Sequence, residues 1–572
     1  MSLLTELKRA ISDNNRPNAH PGFATALFAS VIIMALLPIG FLVVGSFNVQ
    51  PLGAPFRFGL GGWSDMFSSA KTAVAVVNSL LLSIRVPIAL VVGFILSWVL
   101  VRYDIPGGRL IEMSIWLAFF LPALPMTMGW VLLLDKDSGR LNRLATETGL
   151  LSGSPFSVNS AGGIIWVHLT LTTVPVMVLM LTPALRQFDA ALEDSARMSG
   201  AGASQTLRKI TTPLIAPAMI TAFLAAFIRS LETFEVEQFL GTRVDLYVYA
   251  TRIYNLVHYE PADFPQAMAI STMFLIILVG LAILYQALLV SLGGRATLGG
   301  RSAAIRRRRP PVARWLMALC LFALVGLSIY LPLGFLVAGS FTRIFGFFSG
   351  RSVWVLNHWF DVLSDSRFAQ ASANSIILGL VVGFIGIIWY SLIAWVLARM
   401  KLRTSHFMNV IVWLPWAVPG LILGLSLLGV FLSPGLNIFY GTLVPLIVGL
   451  LLKEMPIGVQ MLRTSIDQTA TELEEAGLMA GASRATVFRR ILLPIIAPGL
   501  VSVFLITFIS VVKDISILVL LATPGTKTLS LLMFDFASAG NLESASVVGL
   551  VTAVLSIAIA IVARRLGRIR GT

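Results

Sequence analysis

Apolar runs long enough to cross a bilayer recur along all 572 residues of this chain, near 23–47, 77–101, 113–134, 162–184, 213–231, 267–292, 315–341, 372–398, 407–432, 440–462, 494–513 and 545–563. A helix needs about 20 such residues to span hydrocarbon, so the pattern predicts an all-α polytopic membrane protein of about twelve transmembrane helices. With 57% hydrophobic residues, 12% charged residues and a mean hydropathy of +0.88, the bilayer is its solvent. Inside the runs the charges read from the sequence are Arg85, Arg229 and Lys513.

The net charge of +15 is set by lysines and arginines gathered in alternate loops, which is the positive-inside pattern. It places both termini in the cytoplasm. Arg306 to Arg309 and the tail residues Arg564, Arg565, Arg568 and Arg570 then read as anchors near anionic lipid rather than a nucleic-acid site. The polar first 22 residues or so lead into an apolar run too long for a cleaved signal, and that run is expected to be a retained helix. Cys320 is the single cysteine and has no intrachain partner.

The chain is duplicated. LEDSARMSGAGASQTLRKITTPLIAP, Leu192 to Pro217, returns as LEEAGLMAGASRATVFRRILLPIIAP, Leu473 to Pro498, 281 residues later without a gap. Leu37 to Phe47 returns as Leu331 to Phe341, Asn78-Ser79 as Asn374-Ser375, and Leu121-Pro122 is matched to Leu414-Pro415. The expected organisation is a first repeat over 1–292, a basic linker over 293–314 and a second repeat over 315–572, each repeat with six spans. The basic segments, 192–217 and 473–498, fall between the fourth and fifth spans of each half. The halves are therefore parallel, related by a pseudo-twofold along the membrane normal. Gly379/Gly383 and Gly420/Gly424 are expected to serve close helix packing.

Each duplicated segment reads as two short helices around a glycine turn, Gly200-Ala201-Gly202 or Gly481-Ala482-Ser483. Ser483 is a good N-cap and Gly202 a weaker one. Pro213 and Pro494 are expected to open the next membrane helix. An ordered, polar, twice-repeated platform held out by a membrane domain has the form of a docking surface, the alternative being an interfacial helix lying on lipid.

An acidic residue six before a glycine, with Ile-x-x-Pro ten to thirteen after it, resembles the EAA loop of ATP-binding-cassette importer permeases. The chain as a whole resembles their fused two-repeat ferric-iron group, whose relatives handle thiamine, polyamines and phosphonates. Glu232 to Val236, Gly241 and Tyr249 to Tyr254 look like the segment after the fifth helix in iron-type permeases. The resemblance implies coupling helices seated on two copies of an ATPase subunit. The residues it assigns to coupling are Glu193, Asp194, Gly200, Arg208 and Pro213 with Glu474, Glu475, Gly481, Arg489 and Pro494. Neither copy spells the motif in full, since Asp194-Ser195 replaces its leading Glu-Ala and Gly477 its last alanine. The resemblance also implies an extracytoplasmic substrate-binding protein and a bacterial inner-membrane location. No GxxxxGK[ST] loop occurs, so the chain is expected to be no enzyme and to carry no cofactor. ATP and magnesium would be bound by the partner subunits.

Candidate pathway or gate residues are Arg85, Arg229, Glu232, Lys513 and Asp514, because ionisable groups near a membrane path are functional suspects. Glu232 falls opposite Lys513 in the repeat register. The two would pair across the pathway, or snorkel, or Glu232 would be satisfied by Arg229 one turn earlier. Arg85 must face protein, water or headgroup, an external anion being one option. The five histidines show no metal-ligand spacing. Ferric iron leads as cargo, followed by a phosphonate, thiamine or polyamine. A secondary transporter is the rival class, and it would need mid-span carboxylates, none of which is counted here.

Overall fold

The computed structural model describes residues 21–50, 55–149, 154–187, 190–293, 312–346, 353–399 and 405–568. In the first half the helices are α1 (Pro21–Gly45), α2 (Gly61–Ser68), α3 (Ala70–Leu82), α4 (Arg85–Arg102), α5 (Gly108–Phe120), α6 (Ala123–Leu134), α7 (Ala161–Gln187), α8 (Ala190–Met198), α9 (Ala203–Leu231), α10 (Tyr249–His258) and α11 (Phe264–Gly293). The second half repeats the order with α12 (Ala313–Ser340), α13 (Asn357–Ser364), α14 (Ser366–Arg399), α15 (Phe407–Ala417), α16 (Gly420–Leu432), α17 (Val444–Asp467), α18 (Thr471–Met479), α19 (Arg484–Lys513), α20 (Leu529–Ser538) and α21 (Leu542–Arg568). Most of the linker expected over 293–314 lies outside the described residues, as do the first 20 residues and Arg570.

Among the described residues ten helices are long and apolar enough to cross a membrane, or twelve when each of two bent pairs counts as one span. The runs at 113–134 and 407–432 are those pairs, so they are not the straight spans their hydropathy suggests. α5 and α6 meet at 108°, α15 and α16 at 102°. The cause is an extended X-Pro step in each half: Leu121-Pro122, and Val418-Pro419 at an offset of 297. Proline excludes its predecessor from the helical region and brings no N–H. The elbow of the second half is thus Val418-Pro419, four residues beyond the Leu414-Pro415 pair matched by sequence, which sits in a 3-10 turn.

Each half is built on its second, fourth and fifth spans: α4, α7 and α9 pack together, as do α14, α17 and α19. The first span of each half crosses to the other. α12 lies on α6, where a Cβ at Gly129 would strike the Pro332 backbone, and α1 lies on α16, where a Cβ at Gly429 would strike the Phe41 ring. The two halves are interlocked. Gly379 and Gly383 do serve close packing, their missing Cβ positions lying 2.7 Å from the rings of Phe508 and Phe504 on α19. Gly424 admits the backbone of Ile517 at 2.8 Å.

Filling such a contact forces α14 and α19 apart. Gly383→Val is expected to cost about 1–3 kcal/mol and to lower the thermal midpoint of the detergent-solubilised chain in size-exclusion assays, whereas Gly280→Val, with nothing within 4 Å, leaves it unchanged. Equal midpoints would remove the packing role.

Candidate coupling loops and inter-half charges

The two duplicated segments fold alike. α8 ends with the Ala201 N–H bonded to the Ala196 carbonyl (3.0 Å), and α18 with Ala482 bonded to Gly477 (3.1 Å). Gly200 and Gly481 sit at φ +87° and +83°, the left-handed cap that only glycine takes at little cost. Ser483 caps the next helix through the Thr486 N–H (3.2 Å), while Gly202 offers no side chain. Pro213 and Pro494 do not open new helices. Each follows directly on a π turn, Leu207–Thr211 or Phe488–Leu492, inside one continuous helix. The wider turn makes room where a proline ring would strike the carbonyl four residues back.

Glu193 is fully buried. Its Oε1 takes a hydrogen bond from Arg102 Nε at 3.1 Å and from Thr211 Oγ1 at 2.9 Å. In the second half Arg399 Nε donates to Glu474 Oε1 at 2.7 Å, and its other nitrogen to the Ile466 and Thr469 carbonyls at 2.9 and 2.8 Å. Arg102 and Arg399 are the last residues of α4 and α14, so each arginine bolts its loop to the foot of the second span. Sequence reasoning missed both. The available signal was an arginine closing the second apolar run of each half. Asp194, Gly200, Arg208 and Pro213 lie on the exposed side, with Glu475, Gly481, Arg489 and Pro494 in matching places. Met198 and Met479, 84% and 90% exposed, stand in the same register and were also missed.

At the far end of the fifth span the chain turns back into protein in both halves. Asn78 Nδ2 bonds the Tyr247 carbonyl (2.9 Å) and Ser79 Oγ receives the Tyr249 N–H (3.0 Å). Asn374 bonds the Lys527 carbonyl (2.9 Å) and Ser375 receives Leu529 (2.8 Å). The Asn-Ser pairs seen as repeat markers are thus latches for this return segment. Arg85 meets no outside anion here: it is buried against Glu237 (3.2 Å), Thr233 (2.8 Å) and the Ser230 carbonyl (2.9 Å), and Glu237 also meets His168 Nε2 at 2.8 Å.

Between the halves, Glu232 is bonded by Arg229 (2.7 Å) and not by Lys513, so the intrahelical alternative holds. Arg229 lies over the Trp416 ring at 4.9 Å, and Lys513 over the Phe119 ring at 5.1 Å while donating to the Phe119 carbonyl at 3.1 Å. Phe119 and Trp416 are 297 apart, each just before its elbow. A cation from the fifth span of each half therefore rests on the elbow of the other half, a contact worth about 0.5–2 kcal/mol. Asp514 is paired with Lys453, which also reaches Ser516 (3.3 Å), and Glu454 accepts from Ser510 (2.6 Å). Lys453 and Glu454 lie inside the run 440–462 and escaped the sequence count. The absence of a mid-span carboxylate therefore fails as an argument against a secondary transporter. Among the described residues no three His, Cys, Asp or Glu side chains form a metal site.

The family profile of binding-protein-dependent transport system inner membrane components matches the chain twice, over residues 86–292 and 385–569. The Fe(3+)-transport system permease protein FbpB 2 of Haemophilus influenzae is 22% identical over 94% of this chain and 97% of its own length. The putative ferric transport system permease protein FbpB 1 of the same organism is 26% identical over 62% of this chain, a match spanning 56% of that relative. The sulfate transport system permease protein CysT of Salmonella typhimurium is 25% identical over 45% of this chain and 88% of its length.

The arginine bolts make a prediction. Removing one partner of a buried pair costs about 3–5 kcal/mol, so Arg102→Ala is expected to free the first loop and speed tryptic cleavage at Arg208 and Lys209 at least tenfold. Arg399→Ala, at a less buried pair, should expose Arg489 and Arg490 to a smaller degree. Unchanged cleavage in both variants would show that the bolts do not hold the loops.

Proposed function

The chain belongs to the binding-protein-dependent transport system inner membrane components, as an importer permease of the ATP-binding-cassette type, and from that membership we propose that it carries ferric iron. The pathway lies between its halves, and two ATPase subunits dock on loops 192–217 and 473–498 from the cytoplasm. The observation that carries the docking role is the pair of matching platforms, each bolted inward through Glu193 or Glu474 and presenting Asp194, Arg208 and Met198 or Glu475, Arg489 and Met479 outward. On this reading ATP and magnesium belong to the partner subunits, a binding protein delivers cargo on the opposite face, and both termini are cytoplasmic. Iron is supported by a relative that matches nearly the whole chain. A second reading, an oxyanion, draws on the sulfate relative and on the three cations Arg229, Lys453 and Lys513 gathered between the halves.

Gate function follows from the reciprocal contacts. With Arg229 on Trp416 and Lys513 on Phe119, the halves are closed at the end of the fifth spans remote from the loops; opening separates both pairs. Asp514, whose carbonyl accepts from Ser530, and the Arg85 network hold the return segments that line this end.

Two measurements test the reading. A pull-down with candidate ATPase subunits is expected to retain them on the native chain and lose them on a folded Gly200→Asp, Gly481→Asp double variant. Capture by neither chain would count against docking and favour a secondary transporter. In proteoliposomes with ATPase and binding protein, Trp416→Ala with Phe119→Ala is expected to raise ATP hydrolysis without cargo severalfold, and the native complex to take up labelled ferric iron and not sulfate. Uptake of sulfate alone would transfer the cargo to the second reading.

A further inference from the structure

Between the first and second spans of each half lies a short helix, α2 or α13, that neither coupling nor gating uses. Each is entered through one antiparallel bridge, Asn48 with Phe58 and Thr342 with Trp354. A tryptophan pins each helix to the end of the first span: Trp63 Nε1 donates to Ser46 Oγ and Trp359 Nε1 to Ser340 Oγ, both at 3.3 Å. The same indoles stack on Phe47 at 5.9 Å and on Phe341 at 5.6 Å. Met66 and Val362 face inward and are buried.

The outward side is the unexpected one. Phe58, Leu60 and Phe67 correspond at a constant offset of 296 to Trp354, Leu356 and Leu363, and all six are more than half exposed. None is needed to fill a core. Large apolar character kept at three exposed positions in both copies calls for a common contact outside the chain.

We propose that α2 and α13 lie in the headgroup–acyl boundary of the leaflet opposite the coupling loops, with phospholipid covering these faces. Counting each bent pair as one crossing, the helices follow an odd span and the loops an even one, so the two sets are on opposite sides. The helices run directly between spans whose own flanking residues, Val44 and Val74, Val337 and Ile376, are exposed and apolar. Their outward faces therefore continue the lipid-facing surface. Clustered indole and phenyl rings with a polar flank, Asp65 and Ser68 or Asp361 and Ser364, are the chemistry of the membrane interface. Lipid meets both halves alike, which accounts for the same face being kept twice.

The test uses the full chain with Cys320→Ser, so that a single introduced cysteine carries a nitroxide. Phe67→Cys and Leu363→Cys report the outward faces, and Asp65→Cys and Asp361→Cys the polar flanks. In vesicles of phosphatidylethanolamine and phosphatidylglycerol, spin relaxation at the first pair is expected to respond severalfold more to oxygen than to a water-soluble nickel chelate, with the reverse at the second pair. Nickel-dominated relaxation at Phe67→Cys or Leu363→Cys overturns the proposal and leaves the faces open to a soluble partner such as a binding protein. If either variant fails to elute as folded protein, Leu60→Cys and Leu356→Cys carry the same readout. The result is independent of cargo and of ATPase docking.

Discussion

Hydrocarbon gives a backbone nothing to bond to, so every place where a membrane helix stops, bends or widens has to be covered by other parts of the protein. That constraint explains where this fold keeps its irregular backbone. The elbows at Leu121-Pro122 and Val418-Pro419 lie against the fifth span of the opposite half, through Lys513 and Arg229. The return segments after the fifth spans are held by Asn78-Ser79 and Asn374-Ser375. The π turns at Leu207–Thr211 and Phe488–Leu492 stand near the polar ends of their helices, beside the loops, where Arg208, Lys209, Arg489 and Arg490 are exposed.

Comparison of the halves separates the features they share from those that only one of them has. The glycine caps, π turns, arginine bolts, elbows and Asn-Ser latches occur in both. The buried polar networks differ: Arg85, His168 and Glu237 form one in the first half alone, and Lys453 with Asp514 and Glu454 with Ser510 belong to the second. Two like platforms suit two like partners. On the proposed reading, a single cargo passing between the halves has no twofold symmetry to respect, so these networks are free to diverge.

The sequence made the membrane class, the duplication and the fold of the two repeated loops legible because each is written in local pattern: run length, register and glycine placement. It concealed whatever depends on long-range partners. Arg102 and Arg399 lie 91 and 75 residues from the glutamates they bond, and their one local mark, closing the second apolar run, does not name a partner. Hydropathy counted 113–134 and 407–432 as ordinary spans because it weighs apolarity and ignores the direction in which proline sends the chain. Matching Leu-Pro dipeptides placed the second elbow four residues early, since identical letters were preferred over the extended X-Pro step that bends the helix. Lys453 and Glu454 were overlooked within a strongly apolar stretch, although their charge was plain.

The coupling loops and the inter-half contacts stand at opposite ends of single helices. α9 runs unbroken from Ala203 in the first loop to Arg229 and beyond, and α19 from Arg484 in the second to Lys513. At about 1.5 Å per residue, these are rods of roughly 40 Å. α9 is fastened near its loop end, where Thr211 donates to the same Glu193 that Arg102 holds. On the proposed reading, a partner that moves a platform moves the rod, and the rod carries its cation off the opposite elbow. Each half thereby carries one of the two contacts, so the seal opens in full only when both rods move. That arrangement needs no conformational signal passed side chain to side chain across the membrane, only the stiffness of two helices and the bolts that fix where they pivot.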